Sequence, residues 1–344
     1  MKPNHLYDSF NRKHTYLRIS VSETCNLRCF YCMPDDEVAM AKRHQFLTKQ
    51  EIVTLADFFI RNGIEKIRIT GGEPLMRPDL ADLISGINEK ARNYPWFVGI
   101  GLTTNGIGLH RKLPQLIDHG LNAVNISLDT LNSSKFLQIT RRNGFKLTMQ
   151  AIFTAIDNKN RCAVKVNCVV INGVNETELE EFVELTRHLA IEVRFIEFMP
   201  FAGNRWDPKK IITKRNMLTR IMTHFSGTPI HQLHQQDRHA TADLYQVENF
   251  QGKFGFISSM SDHFCASCNR IRLTADGNLK ICLHDSHEAS LLPILRNRQV
   301  DKETLYAQLD NFVRQQLTKK RFKHGDLDLE TGSNRNRSMT RIGG

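Results

Sequence analysis

Eight cysteines fall along this chain in groups of three, two and three. The first group, Cys25, Cys29 and Cys32, has the spacing C-x3-C-x2-C and follows an alternating strand pattern directly. Three thiolates can ligate three irons of a cubane cluster whose usual complement is four. The remaining iron is an open coordination position, which distinguishes a catalytic metal centre from a structural one. Structural zinc is the competing use of cysteine, but its common spacings pair cysteines and need a fourth ligand nearby. The last group, Cys265, Cys268 and Cys282, again counts to three. Two incomplete quartets point to two clusters, each with one open iron. His263 or His284 would close the second site if either completed that quartet. Cys162 and Cys168 share one face of a strand pattern and read as small core residues.

The elements that must position these groups alternate regularly. Strand patterns cover residues 16–22, 66–70, 97–104, 123–128, 163–171 and 191–199, with helical patterns at 48–62, 78–91, 113–119, 146–158 and 176–189 between them. Thr48 with Glu51 three residues on forms a capping-box signature, and Gly63 is the stop. Six strand–helix units in succession require parallel strands with right-handed crossovers, an α/β architecture. One strand face is polar and basic: Arg18 with Ser20 and Ser22, Lys66 and Arg68 with Thr70, Asn125 with Ser127, and Lys165 with Asn167. In the third strand that face offers only Gly99, Gly101 and Thr103, which leaves room. Parallel strands covered on both faces read as continuous apolar runs, so this face lines a wet interior. The fold expected is a partial (βα)6 TIM-like barrel over residues 1–200. Residues 201–344 form a C-terminal extension carrying the second iron–sulfur cluster and a basic Gly-Gly tail.

The cysteine loop, Gly71-Gly72-Glu73-Pro74, Thr103-Thr104-Asn105-Gly106, Ser127-Leu128-Asp129 and Met199-Pro200 all fall at C-terminal strand ends. β/α barrels build their active sites there. At 344 residues and a formal charge of +11, the chain favours an anionic partner: nucleic acid, a membrane surface or a phosphorylated metabolite. No run of about 18 apolar residues is present, so no membrane span is expected. Residues 1–17 are too polar for a signal-peptide core, and the scattered cysteines suit a reducing compartment, so a soluble cytoplasmic protein is expected. A zinc-containing nucleic-acid-binding protein would need a basic stripe with an aromatic platform, and the basic residues here lie on inward strand faces instead.

These residues together resemble the radical S-adenosylmethionine superfamily, whose signature loop is C-x3-C-x2-C. The resemblance implies that the open iron chelates S-adenosyl-L-methionine, whose reductive cleavage releases a 5′-deoxyadenosyl radical. It also implies cofactor contacts at Tyr31, Gly72, Ser127 and Met199. Within the superfamily the chain is similar to the GTP 3′,8-cyclase family of molybdenum cofactor biosynthesis. That similarity covers residues 17–34, 66–79, 103–106, 193–199, 260–283 and the terminal Ile342-Gly343-Gly344. It implies two 4Fe-4S clusters, one on Cys25, Cys29 and Cys32 and the other on Cys265, Cys268 and Cys282. GTP would be held by Arg18, Lys66, Arg68, Thr103, Lys165, Arg194, Arg270 and Arg272. Arginine suits this task because its planar fork grips phosphate oxygens with parallel bonds, and no acidic face in these strands matches the seven cations.

The implied reaction abstracts the ribose 3′ hydrogen of GTP and joins C3′ to C8, giving 3′,8-cyclo-7,8-dihydro-GTP. Implied partners are a low-potential flavodoxin- or ferredoxin-like electron donor, a second copy of the chain, and cyclic pyranopterin monophosphate synthase as recipient of the product, with no nucleic acid and no membrane. Gly343 and Gly344 would reach the active site as catalytic tail residues. Arg335, Arg337 and Arg341 would be drawn toward a triphosphate or cluster. A proline expected near residues 319–324 is absent. A radical enzyme that modifies peptides is the nearest alternative, though such relatives usually carry more C-terminal cysteines.

Overall fold

The structure is a computed structural model that describes residues 2–33, 46–234, 237, 239–262, 264–321 and 336–343. A short hairpin, β1 (Leu6–Tyr7) and β2 (Lys13–His14), precedes the main sheet. Six strands then pair in parallel and in sequence order: β3 (Tyr16–Ser20), β4 (Lys66–Thr70), β5 (Gly99–Thr104), β6 (Leu121–Ser127), β7 (Ala163–Val170) and β8 (Glu192–Glu197). The crossovers carry α1 (Lys49–Arg61), α2 (Leu80–Ala91), α3 (Leu109–Asp118), the pair α4 (Ser133–Thr140) and α5 (Phe145–Asp157), and α6 (Leu179–His188).

Local chemistry sets these elements. The Glu51 amide donates to Thr48 Oγ1 at 3.2 Å and the Thr48 amide to Glu51 Oε2 at 2.8 Å, so the expected capping box opens α1. The chain leaves α1 through Gly63 at φ +90°, a conformation only glycine adopts cheaply. Between the caps Ile52, Leu55, Ala56 and Phe59 recur at helical spacing and are buried. The short α4 has no counterpart in the sequence reading. Its start rests on the Asn132 side chain, which accepts from the Ser134 and Lys135 amides, and its apolar residues are too few to set a period.

Past residue 200 the chain does not leave this sheet. It forms α7 (Lys214–His224), β9 (Ile230–Leu233), β10 (Asp243–Val247), β11 (Lys253–Ile257), β12 (Arg270–Leu273), β13 (Asn278–Lys280), β14 (Ala289–Ser290), α8 (Leu292–Leu295), α9 (Lys302–Leu317) and α10 (Met339–Ile342). β11 pairs in parallel with β8, and β12 in parallel with β3. Both edges of the six-stranded partial barrel are therefore covered, giving a 12-stranded sheet in the order β14-β13-β12-β3-β4-β5-β6-β7-β8-β11-β10-β9. Covering both edges satisfies backbone groups that an open barrel would expose.

Alternation sends Leu17, Ile19, Ile67, Ile69, Leu102 and Val124 outward against the helices, where all are buried, and the polar set inward. Register then places Arg272 opposite Arg18, Arg18 opposite Arg68, and Arg68 opposite Gly101, a row across four strands. Among the described residues no helix is long and apolar enough to cross a membrane.

Candidate functional site

The barrel encloses a cavity of about 320 Å3 lined by all six triad cysteines, among them Cys25 and Cys32 from the first and Cys268 and Cys282 from the second. The first triad follows β3 and sits at the C-terminal rim. Cys265 and Cys268 precede β12, whose Arg270 lies opposite Tyr16, while Cys282 follows β13, which runs back with Lys280 opposite Arg272. The second triad therefore stands at the N-terminal rim, and the arginine row lies between the two.

The cysteine loop is held by backbone. The Cys32 and Met33 amides donate to the Cys29 carbonyl at 3.0 and 2.9 Å, and the Arg28 amide to the Thr140 carbonyl at 2.8 Å. The Gly72 and Glu73 amides donate to the Ser22 and Thr24 carbonyls at 2.5 and 2.7 Å. A Cβ on Gly72 would lie 2.4 Å from the Thr24 carbonyl oxygen, so only glycine lets the strap that leads into the cysteines pack there. Glu73 accepts from the Leu75 amide, the Thr104 hydroxyl and the Asn105 amide at 2.7–2.9 Å, and so ties the ends of β4 and β5 together. Burial pushes its carboxyl up to about 7 despite those bonds.

The chemistry of the donor set fits an iron–sulfur cluster. None of the eight cysteines is disulfide-bonded. Burial raises the Cys25, Cys29 and Cys32 thiols, with the neighbouring Asp129 and the other cysteines adding to the effect at Cys29, so an electropositive group must enter before these sulfurs ionise. Among the described residues no three metal-ligating side chains converge on a single-ion position.

Tyr31, Gly72, Ser127 and Met199 line the same cavity at this rim. The Tyr31 hydroxyl donates to Asp129 Oδ2 at 2.6 Å, and the Val169 amide to Asp129 Oδ1 at 2.9 Å. Burial lifts the Asp129 carboxyl to about 6 against those bonds.

Arg18, Lys66, Arg68, Thr103, Lys165, Arg194, Arg270 and Arg272 also all line the cavity. Arg68 is 4 % exposed and donates to Tyr16 Oη at 3.0 Å, the Leu102 carbonyl at 3.1 Å and Asn125 Oδ1 at 2.8 Å. The room left by Gly101 is taken by the Arg68 guanidinium, 2.6 Å from where a Cβ would stand. Arg270 donates to the His239 carbonyl at 2.6 Å and lies 5.4 Å over the Tyr16 ring. Crowding of charge works against ionisation of Lys165 and Arg272. Burial and the neighbouring Arg194 lower Lys165 to about 8, and burial with Arg270 lowers Arg272 to about 10. Burial would raise the Tyr16 phenol, but Arg68 and Arg18 outweigh it and bring it down to about 7.

Two expectations need correction. The cations do have some acidic partners: Glu192 lies 3.4 Å from Lys165 and also bonds Arg194, while Asp237 lies 3.0 Å from Lys66. Glu192 opens β8 opposite Lys165 and shares a face with Arg194 two residues on, so alternation within that strand already marks it; Asp237 arrives from a distant loop and shows in no strand pattern. The tail arginines are likewise engaged by protein. Arg337 binds Asp276 at 2.8 and 3.2 Å and Glu288 at 3.0 and 2.5 Å, and Arg341 lies 3.9 Å from Glu23. These contacts dock α10 at the C-terminal rim. There Gly343, at φ +73°, accepts from Arg272 at 3.1 Å, and a Cβ would meet Thr70 Oγ1 at 2.6 Å and Ser20 Cβ at 2.9 Å. Gly344, Arg335 and His263 lie outside the described residues, as does the second half, 322–324, of the stretch where the family pattern has a proline. His284 stacks on Phe201 with ring centroids 6.1 Å apart, and Cys162 and Cys168 are buried core residues.

Tyr16, Asn105, Asp129 and His239, none of them among the contacts expected from sequence, also line the cavity. Asn105 and Asp129 stand in strand-end motifs that marked the rim. Tyr16 stands two residues before Arg18 in the first strand, so the alternation that marks Arg18 marks it too, whereas His239, stacked on it at 5.8 Å, falls in no strand pattern.

Residues 19–186 match the Radical SAM superfamily, and residues 191–325 match Molybdenum Cofactor Synthesis C. A relative from Alkaliphilus oremlandii named GTP 3′,8-cyclase is 36% identical over 338 residues, 98% of this chain and 99% of that one. The chain belongs to the GTP 3′,8-cyclase family. Molybdenum cofactor biosynthesis protein 1 of Mus musculus is 46% identical over 98% of this chain, which spans 51% of the mouse protein's length. Among solved structures, Streptococcus suis SuiB bound to S-adenosylmethionine superposes with a TM-score of 0.54 at 15% identity, covering 88% of this chain and 69% of that one, a likeness of fold. Superfamily membership implies a 4Fe-4S cluster and S-adenosylmethionine.

Proposed function

We propose that this chain converts GTP to (8S)-3′,8-cyclo-7,8-dihydroguanosine 5′-triphosphate, the first step of molybdenum cofactor biosynthesis. The observation that carries the reading is one cavity with a cysteine triad at each rim and the row Arg272–Arg18–Arg68 between them. When bound on Cys25, Cys29 and Cys32, a 4Fe-4S cluster with S-adenosylmethionine supplies the radical that takes hydrogen from the ribose. Tyr31, Gly72, Ser127 and Met199 orient the cofactor at that rim. Cys265, Cys268 and Cys282 would hold a second 4Fe-4S cluster, which would supply a coordination position for the guanine. Seven cations against Glu192 and Asp237 leave a surplus of positive charge that a triphosphate satisfies. Thr103 adds a hydroxyl beside them, and the two rims separate cofactor from base so that C3′ and C8 are presented together.

The eight cysteines without disulfides suit a reducing compartment, and we place the protein in the cytoplasm. There a flavodoxin- or ferredoxin-like donor supplies electrons, cyclic pyranopterin monophosphate synthase takes the product, and the chain pairs as a homodimer. The experiment is anaerobic reconstitution followed by a cleavage assay with GTP and competing nucleotides. About eight irons per chain are expected, with GTP turnover lost on replacing any of the six ligating cysteines. Cofactor cleavage is lost only on replacing Cys25, Cys29 or Cys32. Stoichiometric zinc without iron, or equal turnover of every nucleotide, overturns the reading.

A further inference from the structure

Lys320 follows α9 and is 3% exposed. Its ammonium has two hydrogen-bond acceptors among the described residues, Cys268 Sγ at 3.6 Å and the Arg270 carbonyl at 2.9 Å. Neither is a carboxylate. A buried ammonium costs several kcal/mol unless it is paired with an anion, and the sulfur is the one acceptor of the two that can carry that charge.

The lysine is locked in place. Its amide donates to the Leu317 carbonyl at 3.1 Å. Arg12, fixed by Asp8 at 2.7 Å, donates to the Cys265 carbonyl at 2.6 Å and to the Arg321 carbonyl at 2.9 Å. The N-terminal hairpin thus clasps the residue beside Lys320 to the turn that carries Cys265 and Cys268. Cys25 in the first triad receives neutral donors instead, the Leu27 amide at 3.4 Å and the Asn105 side-chain amide at 3.8 Å. Cys25 and Cys268 therefore differ in the charge that hydrogen-bonds to sulfur.

We propose that Lys320 is a positioning residue that tunes the second triad. Its ammonium hydrogen-bonds the Cys268 thiolate and raises the reduction potential of the cluster on Cys265, Cys268 and Cys282. Hydrogen bonds to ligating sulfur and nearby positive charge both favour the reduced, more negative cluster. The inference rests on the two-cluster reading given above.

The test is an anaerobic, EPR-monitored redox titration of the full chain carrying Cys25→Ala, Cys29→Ala and Cys32→Ala, so that only the second triad can hold iron. Lys320→Met should titrate at a lower potential with iron content unchanged, and Lys320→Arg should return most of the shift. If Lys320→Met fails to retain iron, Lys320→Gln decides, since it keeps an N–H donor and drops the charge: a lowered potential supports the proposal. An unchanged potential in an iron-replete neutral variant overturns it. A parent chain with no iron–sulfur signal at all removes the two-cluster reading itself, an outcome distinct from an unshifted cluster.

Discussion

At the scale of single residues, the arginine row explains both the site's chemistry and its internal tension. Like charges facing each other across strands destabilise a sheet, and Arg272, Arg18 and Arg68 do so in one line. Protein groups satisfy part of this demand: Arg68 has Tyr16, Leu102 and Asn125, and Arg272 has the Gly343 carbonyl. On the function proposed above, a triphosphate would supply what remains. A hydrogen bond to a charged group contributes about 1.5–3 kcal/mol, so Arg270→Ala or Arg272→Ala should weaken GTP binding about ten- to a hundredfold by equilibrium dialysis. Lysine at either position should restore only part, because it keeps the charge but loses the fork. Normal GTP affinity in both alanine variants would remove these arginines from the site.

At the scale of elements, α10 and its flanking residues show how a four-residue helix is held against the barrel. Such a helix has no stability of its own, so the Arg337 bonds to Asp276 and Glu288, with Ile342 buried, must dock it. Deleting Gly343 and Gly344 should leave both clusters and GTP affinity nearly unchanged while cyclisation falls severely, as measured by product formation. Gly343→Ala should behave like the deletion, since its Cβ would press on Thr70 and Ser20 at a φ of +73°. Arg337→Ala should leave the glycines intact but undock them, seen as faster hydrogen exchange over residues 336–343 and about tenfold lower turnover. With Arg337 about one-quarter exposed, each ion pair contributes toward the low end of the usual range. Wild-type turnover by the truncated chain would show that the tail has no part in the reaction.

At the scale of the whole molecule, the N-terminal hairpin links stability to pH through His14. It is 0% exposed, and burial, opposed by its bond to Asp8 and aided by Lys320, lowers it to about 4 from 6.5. His14 and Asp8 lie 3.2 Å apart, yet with the ring neutral at pH 7 their contact is a hydrogen bond and not an ion pair. The unfolded chain binds a proton at His14 from pH 6.5 downward, while the folded chain does so only near pH 4, so stability falls as pH drops through that window. The full effect is about 3 kcal/mol. Asp8, held low by His14 and Arg12 against burial, adds a loss in the same direction below pH 3.8. Urea midpoints at pH 7 and 4.5 should separate more for the wild-type chain than for His14→Gln, and equal separations would exclude His14 as the source.

Much of this was legible in the residues themselves. The triad spacings depend only on local sequence, and alternation along each strand assigns Arg18, Lys66, Arg68 and Lys165 to the lumen because a strand's side chains must alternate. Glu51, Thr48 and Gly63 likewise mark α1 by bonds spanning three residues. What the tertiary structure alone decided is relational. β11 and β12 close the two edges of a sheet begun near the start of the chain, which puts the second triad at the opposite rim from the first. Asp237 meets Lys66, Arg337 turns to Asp276 and Glu288, and Lys320 reaches Cys268, all through contacts between strands, loops and helices far apart in the chain. Periodicity reports which way a side chain points. It carries no information about which distant group the fold will bring to meet it.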